Sequence, residues 1–347
     1  MSENTKIDNV EEVVDTELPL DKNVRLMSPT RMVVRRFFRS KLSIIGLIMV
    51  VGLFIFSFLG PLVYNEWGEI ELDESGKTKY SVSETTYTAD GQSYTLKQTT
   101  ETSLKDNFLA PPSSEHILGT DNEGYDIFVR LMYGGRISLI VSFIAVFLIT
   151  VLGVIMGGIA GFFGGIVDNI IMRLCDVLIC LPGIPILLII STILDASEID
   201  AKYRIYLLMI YLTFISWPGT ARLVRGQILS LREHEYMVAA EAMGYSTSRK
   251  IFKHLVPNVM PQLIVSMSLS LGSMILYEAT LSYLNLGVKA PYAAWGTMIN
   301  IISTNQDVLQ NHLNVWVPAG VCIVIAVLGF NFIGDGLRDA LDPKARR

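Results

Sequence analysis

Long apolar runs alternate with polar stretches along this chain. The runs are about 18–23 residues long, enough for a helix to cross a hydrocarbon core of roughly 30 Å. Six are read as membrane-spanning helices, at 43–64, 137–160, 174–194, 205–222, 259–286 and 315–334. Membrane barrel strands would instead show short segments of alternating polarity, so the pattern predicts an all-α membrane protein. Residues 65–115 break the pattern. They are rich in Ser and Thr and alternate around Ala89-Asp90-Gly91, with Tyr80, Val82, Tyr94 and Leu96 flanking. An Asp-Gly pair between alternating runs signals a hairpin, so a small external β insertion is expected there; a polar loop without fixed structure is the alternative. Residues 116–136 predict an amphipathic external segment lying in the interface, with Ile127, Phe128, Leu131 and Met132 on one face.

Composition agrees with a membrane chain: 51% of the 347 residues are hydrophobic and only 18% charged, and the charges collect between the runs. The placement of Lys and Arg orients the helices. The tail to Lys41 carries eight of them, Arg35, Arg36, Arg39 and Lys41 closest to the first run. The loop 223–258 carries Arg225, Arg232, Arg249, Lys250 and Lys253, and the last stretch Arg338, Lys344, Arg346 and Arg347. With six spans these three segments share one side, predicted to be cytoplasmic, with both termini there. Residues 65–115 hold ten acids against four lysines and face the other side. The expected organisation is a cytoplasmic tail (1–42), the first helix (43–64), the external insertion (65–115), the interfacial segment (116–136), a membrane core (137–334) containing the loop 223–258, and a cytoplasmic tail (335–347). The polar first forty residues do not read as a cleavable signal, and Ile44 to Val63 is a retained anchor.

Candidate chemistry is sparse. Cys175, Cys180 and Cys322 lie in apolar runs and predict inert thiols; His116, His234, His254 and His312 lack metal-ligand spacing, so no metal site is expected. No G-x-x-x-x-G-K-[ST] sequence occurs, so no nucleotide site is expected in this chain. Gly153, Gly157, Gly161 and Gly165 recur every fourth residue and predict a bare helix face for close packing, within the subunit or at a moving or dimeric contact. Pro182 and Pro185, Pro218 and Pro318 interrupt three spans and predict bends. Two acids lie within the runs, Asp176 near Arg173 and Glu278 in the fifth. A charge at such depth faces a wet cavity or a partner, so each is a candidate for the substrate path or for a structural pair.

The most informative stretch runs from Arg232 to Pro261, REHEYMVAAEAMGYSTSRKIFKHLVPNVMP. It predicts a short helix with small residues Ala239, Ala240 and Ala242, a stop at Gly244, a second helix capped by Ser246 or Thr247, and re-entry at Pro257 and Pro261. A compact knob flanked by cations suits a pocket of a cytoplasmic partner.

This stretch resembles the EAA loop of ATP-binding-cassette (ABC) importer permeases: Glu-Ala-Ala, three residues, Gly, and later Leu-Pro. Here the pattern reads Val238-Ala239-Ala240, Gly244 and Val256-Pro257, with Val238 in place of the glutamate and Val256 in place of the leucine. The resemblance implies ATPase coupling through Glu235, Ala239, Ala240, Glu241, Gly244, Arg249 and Pro257, with Glu235 or Glu241 supplying the missing carboxylate. The segments 116–139, 171–188, 278–299 and 330–346 are similar to oligopeptide and dipeptide permeases of the OppC/DppC type, with Gly124-Tyr125-Asp126 where Gly-Arg-Asp is usual. That family implies the type I importer transmembrane fold, a second homologous permease subunit, two cytoplasmic ATPase subunits that use ATP and Mg, and an extracellular peptide-binding protein. It implies no cofactor on this chain and no catalysis by it. Import of oligopeptides is expected; dipeptides, nickel or another small solute on the same scaffold is the alternative. A membrane enzyme and a stand-alone channel are the rivals outside that class. For the enzyme the sequence offers no nucleophile–base pair, and conductance without an ATPase partner would favour the channel.

Overall fold

The computed structural model describes residues 29–64, 66–69, 79–89, 92–102, 108–197, 199, 201–289 and 291–342. A short helix α1 (Pro29–Phe37) leads through Ser40, whose hydroxyl accepts the Ser43 amide, into α2 (Lys41–Phe54). A π-helical turn at Ile55–Leu59 and a last turn α3 (Gly60–Val63) complete one apolar rod, Lys41–Val63. The wide turn has a local cause. Pro61 has no amide hydrogen to give the Ser57 carbonyl. Arg136 donates to it instead, Nε to the Ser57 carbonyl at 2.7 Å and Nη2 to that of Phe58 at 2.9 Å.

Between this rod and the next long helix, β1 (Lys79–Ala89) and β2 (Gln92–Thr102) pair antiparallel, from Lys79 opposite Thr102 to Ala89 opposite Gln92. The expected Asp90-Gly91 turn lies outside the described residues.

Helix α4 (Ile127–Phe163) runs unbroken for 37 residues. The segment expected at 116–136 is not separate from the next helix: residues 127–136 form nearly the first three turns of α4. Asp126 sets the start, Oδ1 accepting the Val129 amide at 2.8 Å and Oδ2 lying 2.8 Å from His116 Nδ1. The Tyr64 hydroxyl donates to the Glu115 carbonyl at 3.0 Å, and burial together with the Asp126 and Glu66 charges pushes its pKa up to about 12, so it stays a donor. Gly134 and Gly135 do not break the helix because Ala294 and Trp295 lie across them, with Trp295 Nε1 donating to the Leu131 carbonyl at 3.0 Å.

After α4, α5 (Gly165–Cys180) and α6 (Gly183–Ala196) meet at a 77° bend. The third span expected at 174–194, with bends at Pro182 and Pro185, is this broken pair, which begins earlier, at Gly165. Pro182 forces Leu181 into an extended conformation (ψ 132°), which no helix continues through. Helix α7 (Ala201–Arg232) contains Pro218; α8 (Glu235–Ala242) follows, then α9 (Thr247–Arg249), a second π turn at Lys250–Leu255, and α10 (Val256–Tyr283). Two short helices, α11 (Trp295–Thr304) and α12 (Gln306–Asn311), precede α13 (Leu313–Leu341).

Among the described residues four helices are long and apolar enough to cross a membrane: Lys41–Val63, Ile127–Phe163, Thr247–Tyr283 and Leu313–Leu341. The bent α5–α6 pair counts as a fifth if it is one span. They pack through small residues, as membrane helices do. A Cβ on Gly46 of α2 would stand 2.7 Å from the Gly329 carbonyl of α13. The largest buried cluster joins α2, α4, α10, α11 and α13 around Trp295, which is fully enclosed.

Candidate functional site

The Arg232–Pro261 stretch folds as a helical knob between two long helices. Within the stretch 223–258, α7 continues to Arg232 and α9 runs through the π turn into α10, so only α8 and its flanking turns lie outside the long helices. Helix α8 ends at a left-handed residue: Gly244 has φ 71°, its amide donates to the Glu241 carbonyl at 2.9 Å, and the Tyr245 amide donates to that of Ala240 at 3.1 Å. This bond pair closes a helix end, and glycine reaches the required φ without strain. Ser246 sits at the start of α9, and its hydroxyl makes no capping bond.

The knob has two faces. Met237 points inward and joins a buried cluster with Val224 and Ile228 of α7, Leu255 of the π turn, and Val259 and Leu263 of α10, and Ala240 is buried as well. Ala239 is exposed, and around it Tyr236, Val238 and Met243 are 39%, 61% and 64% exposed. Isolated apolar residues on a surface need no explanation, but four on one eight-residue helix and its cap form a patch that favours contact with another molecule. Charged and aromatic groups rim it. Glu241 Oε2 lies 3.9 Å from Lys250 Nζ, Arg249 lies over the Tyr245 ring at 5.0 Å, and His234 stacks on Tyr236 at 5.8 Å. Lys250 also sits over the Phe162 ring at 5.6 Å, while Arg232 donates to the Phe162 carbonyl at 3.3 Å. Through Phe162 the knob is tied to the end of α4 as well as to α7 and α10. Glu235 is exposed in the first turn of α8, and Pro257 stands at the start of α10, where its missing amide hydrogen costs little.

The other predicted residues are dispersed. Gly153, Gly157 and Gly161 line up against α7, where added Cβ atoms would fall 2.5 Å from Thr220 Cβ, 2.3 Å from the Ala221 carbonyl and 3.0 Å from the Arg225 carbonyl. Gly165 does not join them, which corrects the four-residue stripe: α4 has ended at Phe163, Gly164 and Gly165 both have positive φ, and nothing lies near the latter. Asp176 of α5 accepts from Arg222 Nη2 of α7 at 2.5 Å, both side chains being about half exposed. The partner is thus Arg222 rather than the neighbouring Arg173. Glu278 is buried, 2% exposed; its Oε1 accepts from the Ser282 hydroxyl at 2.7 Å, and Ser138 of α4 lies alongside.

Two features went unforeseen in the sequence. Arg225 of α7 grips Asp168 of α5 with two parallel bonds, 2.5 and 2.6 Å, a fork geometry that fixes the relative position of those helices. A cavity of about 360 Å³ lies between α4, α7 and α10, and hydroxyls from all three helices line it. Its trace in the sequence is the spacing of Ser266, Ser270, Ser273 and Tyr277, which is also what an ordinary membrane helix tolerates. Among the described residues no group of three or more His, Cys, Asp or Glu side chains could hold a metal ion.

Known proteins give this geometry its context. Residues 149–347 match the family described as the binding-protein-dependent transport system inner membrane component, and residues 28–75 match the N-terminal transmembrane domain of oligopeptide transport permease C. The oligopeptide transport system permease protein OppC of Bacillus subtilis is 37% identical over 313 residues, 90% of this chain and 88% of that protein. The dipeptide transport system permease protein DppC of Alkalihalophilus pseudofirmus is 35% identical over 94% of each chain. OppC of Escherichia coli is 44% identical over 236 residues, 67% of this chain and 74% of its own length. With more than half its length matched by one family, and with relatives this similar along nearly all of it, the chain belongs to the binding-protein-dependent transport system inner membrane components.

Proposed function

We propose that this chain forms half of the translocation pathway of an ABC importer that carries oligopeptides across the cytoplasmic membrane. The relatives named as oligopeptide and dipeptide permeases supply the substrate class. The observation that carries the coupling role is the exposed apolar face of α8, Tyr236, Val238 and Met243, on a knob braced against α4, α7 and α10. Two ATPase subunits dock there and hydrolyse ATP with Mg; a second homologous permease completes the pathway, and an external binding protein delivers the peptide. This chain holds no nucleotide or cofactor and converts partner-supplied free energy into a change of access.

In this reading α7 and the bent α5–α6 pair each cross the membrane, giving six spans with both termini and the knob on the cytoplasmic side. The cations Arg35, Arg36 and Arg39 before α2, those flanking α8, and Arg338 at the end of α13 support that orientation. The insertion carrying β1 and β2 is then external.

Glu278 acts as a structural tie between α10 and α4 rather than a substrate contact. Glu278→Gln keeps the shape and the Ser282 bond, so uptake by the assembled transporter should stay within about twofold of wild type, the scale of one modest hydrogen-bond change. A tenfold loss with normal assembly would return Glu278 to the path.

The function is tested by uptake of labelled dipeptide, pentapeptide and Ni²⁺ in cells with and without the gene. Loss of peptide uptake with Ni²⁺ uptake intact is the expected result, and the two peptide lengths separate the oligopeptide reading from the dipeptide one. Loss of Ni²⁺ uptake alone would keep the importer and overturn its substrate.

A further inference from the structure

The cavity between α4, α7 and α10 has a chemistry unlike the rest of the helix surfaces. Ser266, Ser270, Ser273 and Tyr277 of α10 follow one another at spacings of four, three and four residues, so they share one helix face. Thr150 of α4 and Thr220 of α7 face them across the cavity, with Ser216 at its edge. Among the described residues no charged side chain lines it. Ser216, Ser270 and Ser273 are exposed on the chain, so the cavity is open along one side.

The hydrogen bonds separate the serines of the α10 cavity face from the hydroxyls elsewhere on that helix. Ser268 and Thr280, elsewhere on α10, return their hydroxyls to their own helix, to the Ile264 carbonyl at 2.9 Å and the Leu276 carbonyl at 2.8 Å. That is how a hydroxyl is accommodated where water is scarce. On the cavity face, among the described residues, the hydroxyls of Ser266, Ser270, Ser216 and Thr220 make no hydrogen bond, Ser273 makes only a long one, 3.4 Å to the Leu269 carbonyl, and Thr150 of α4 returns its hydroxyl to the Val146 carbonyl at 2.8 Å. Converging hydroxyls left open in the middle of long apolar helices face water or a polar solute rather than acyl chains.

We propose that this hydroxyl face is where the chain touches the passing peptide, and that it bonds the peptide's main-chain amides rather than its side chains. The inference rests on the peptide-importer reading. A hydroxyl both donates and accepts, which matches the alternating N–H and C=O of a peptide main chain, the one part that every peptide shares. A fixed charge here would hold peptides of opposite side-chain charge and reject those of like charge. A neutral hydroxyl gives each amide only a modest hold, about two- to tenfold in binding per bond, strong enough to guide and weak enough to release.

The test uses the complete transporter in proteoliposomes, with ATP and its binding protein. The substrates are one neutral, one acidic and one basic pentapeptide, each also made with its central amides N-methylated. The Ser266→Ala/Ser270→Ala/Ser273→Ala variant should lower uptake of all three parent peptides by a similar factor, about tenfold. N-methylation should slow uptake by wild type more than by the variant; discrimination by the binding protein is common to both and cancels in that comparison. Equal N-methyl penalties in the two, or a loss confined to one side-chain charge class, would overturn main-chain recognition. In a Cys180→Ser background, Ser270→Cys should react with a charged, water-soluble thiol reagent, and Ile264→Cys on the opposite face of α10 should not. An unreactive Ser270→Cys would overturn the assignment of this face to the path. Wild-type uptake of the parent peptides is the control: its absence would sink the peptide reading, while the cysteine result would still decide whether the face is wet.

Discussion

Gly157→Leu should abolish stable accumulation of the protein in the membrane, and Gly157→Ala should already lower its stability by about 1–3 kcal/mol, the usual cost of overpacking a tight contact. The reason is backbone against backbone. A Cβ at Gly157 would stand 2.3 Å from the Ala221 carbonyl oxygen and 2.9 Å from Val224 Cβ. A rotamer change relieves neither contact, so α4 and α7 must separate. That interface runs from Gly153 to Gly161 and aligns the helix to which Phe162 and the knob are attached. Gly158, the next residue, is the control. Its added Cβ would meet only Ile228 Cδ1, at 3.8 Å, an ordinary contact. Gly158→Ala should therefore melt within about 0.5 kcal/mol of wild type, as substitutions away from special features do. Thermal unfolding in detergent, followed by the loss of monodisperse protein, reads both. Equal melting of Gly157→Ala and Gly158→Ala would mean that the helices are not in this contact.

The same interface illustrates what the sequence could and could not reveal. The four-residue spacing of Gly153, Gly157 and Gly161 is periodic, local and unusual, so a bare helix face could be read directly, though not the helix it meets. Gly165 has the same spacing and a different role, because the period carries no sign that the helix has ended at Phe163. The apolar runs likewise located α2, α4, α10 and α13, since length and hydropathy are properties of one segment. Pro182 announced a bend but not its 77° size: a proline in an apolar run reads the same whether the helix kinks or folds back. That the amphipathic stretch runs unbroken from Ile127 into the apolar run is set by distant packing, Ala294 and Trp295 lying across Gly134 and Gly135. Pairings between distant segments were least legible. Arg225 could be counted as a cytoplasmic cation, but nothing near it announces Asp168, and Asp176 invited pairing with Arg173 when Arg222, 46 residues away, is the group that reaches it. The knob was the most legible part of the site, because its break, its glycine and its small residues lie within one short stretch.

Gly244→Trp should leave the chain folded and inserted while reducing uptake by the assembled transporter at least tenfold. Two effects of the substitution can be weighed separately. At φ 71° any residue with a Cβ is strained, at a cost of about 1–2 kcal/mol, small beside the 5–15 kcal/mol typical of a folded chain. Among the described residues, its chain neighbours aside, no heavy atom lies within 4 Å of the added Cβ, so the side chain leaves the backbone into open space. It projects from the end of α8 beside Met243, on the face proposed to enter the ATPase. The loss is then expected in assembly, or in the link between hydrolysis and transport, rather than in folding. Gly244→Asn separates strain from bulk, since asparagine tolerates the left-handed conformation and is small. It should keep most of the uptake. Three measurements on the same preparations decide the matter: melting of the permease, co-purification of the ATPase subunits, and peptide uptake set against ATP hydrolysis. Normal uptake by Gly244→Trp would remove the knob from the docking surface. Equal losses for Asn and Trp would place the defect in the turn itself, and the lever would then depend on the shape of the α8 end rather than on the surface it presents.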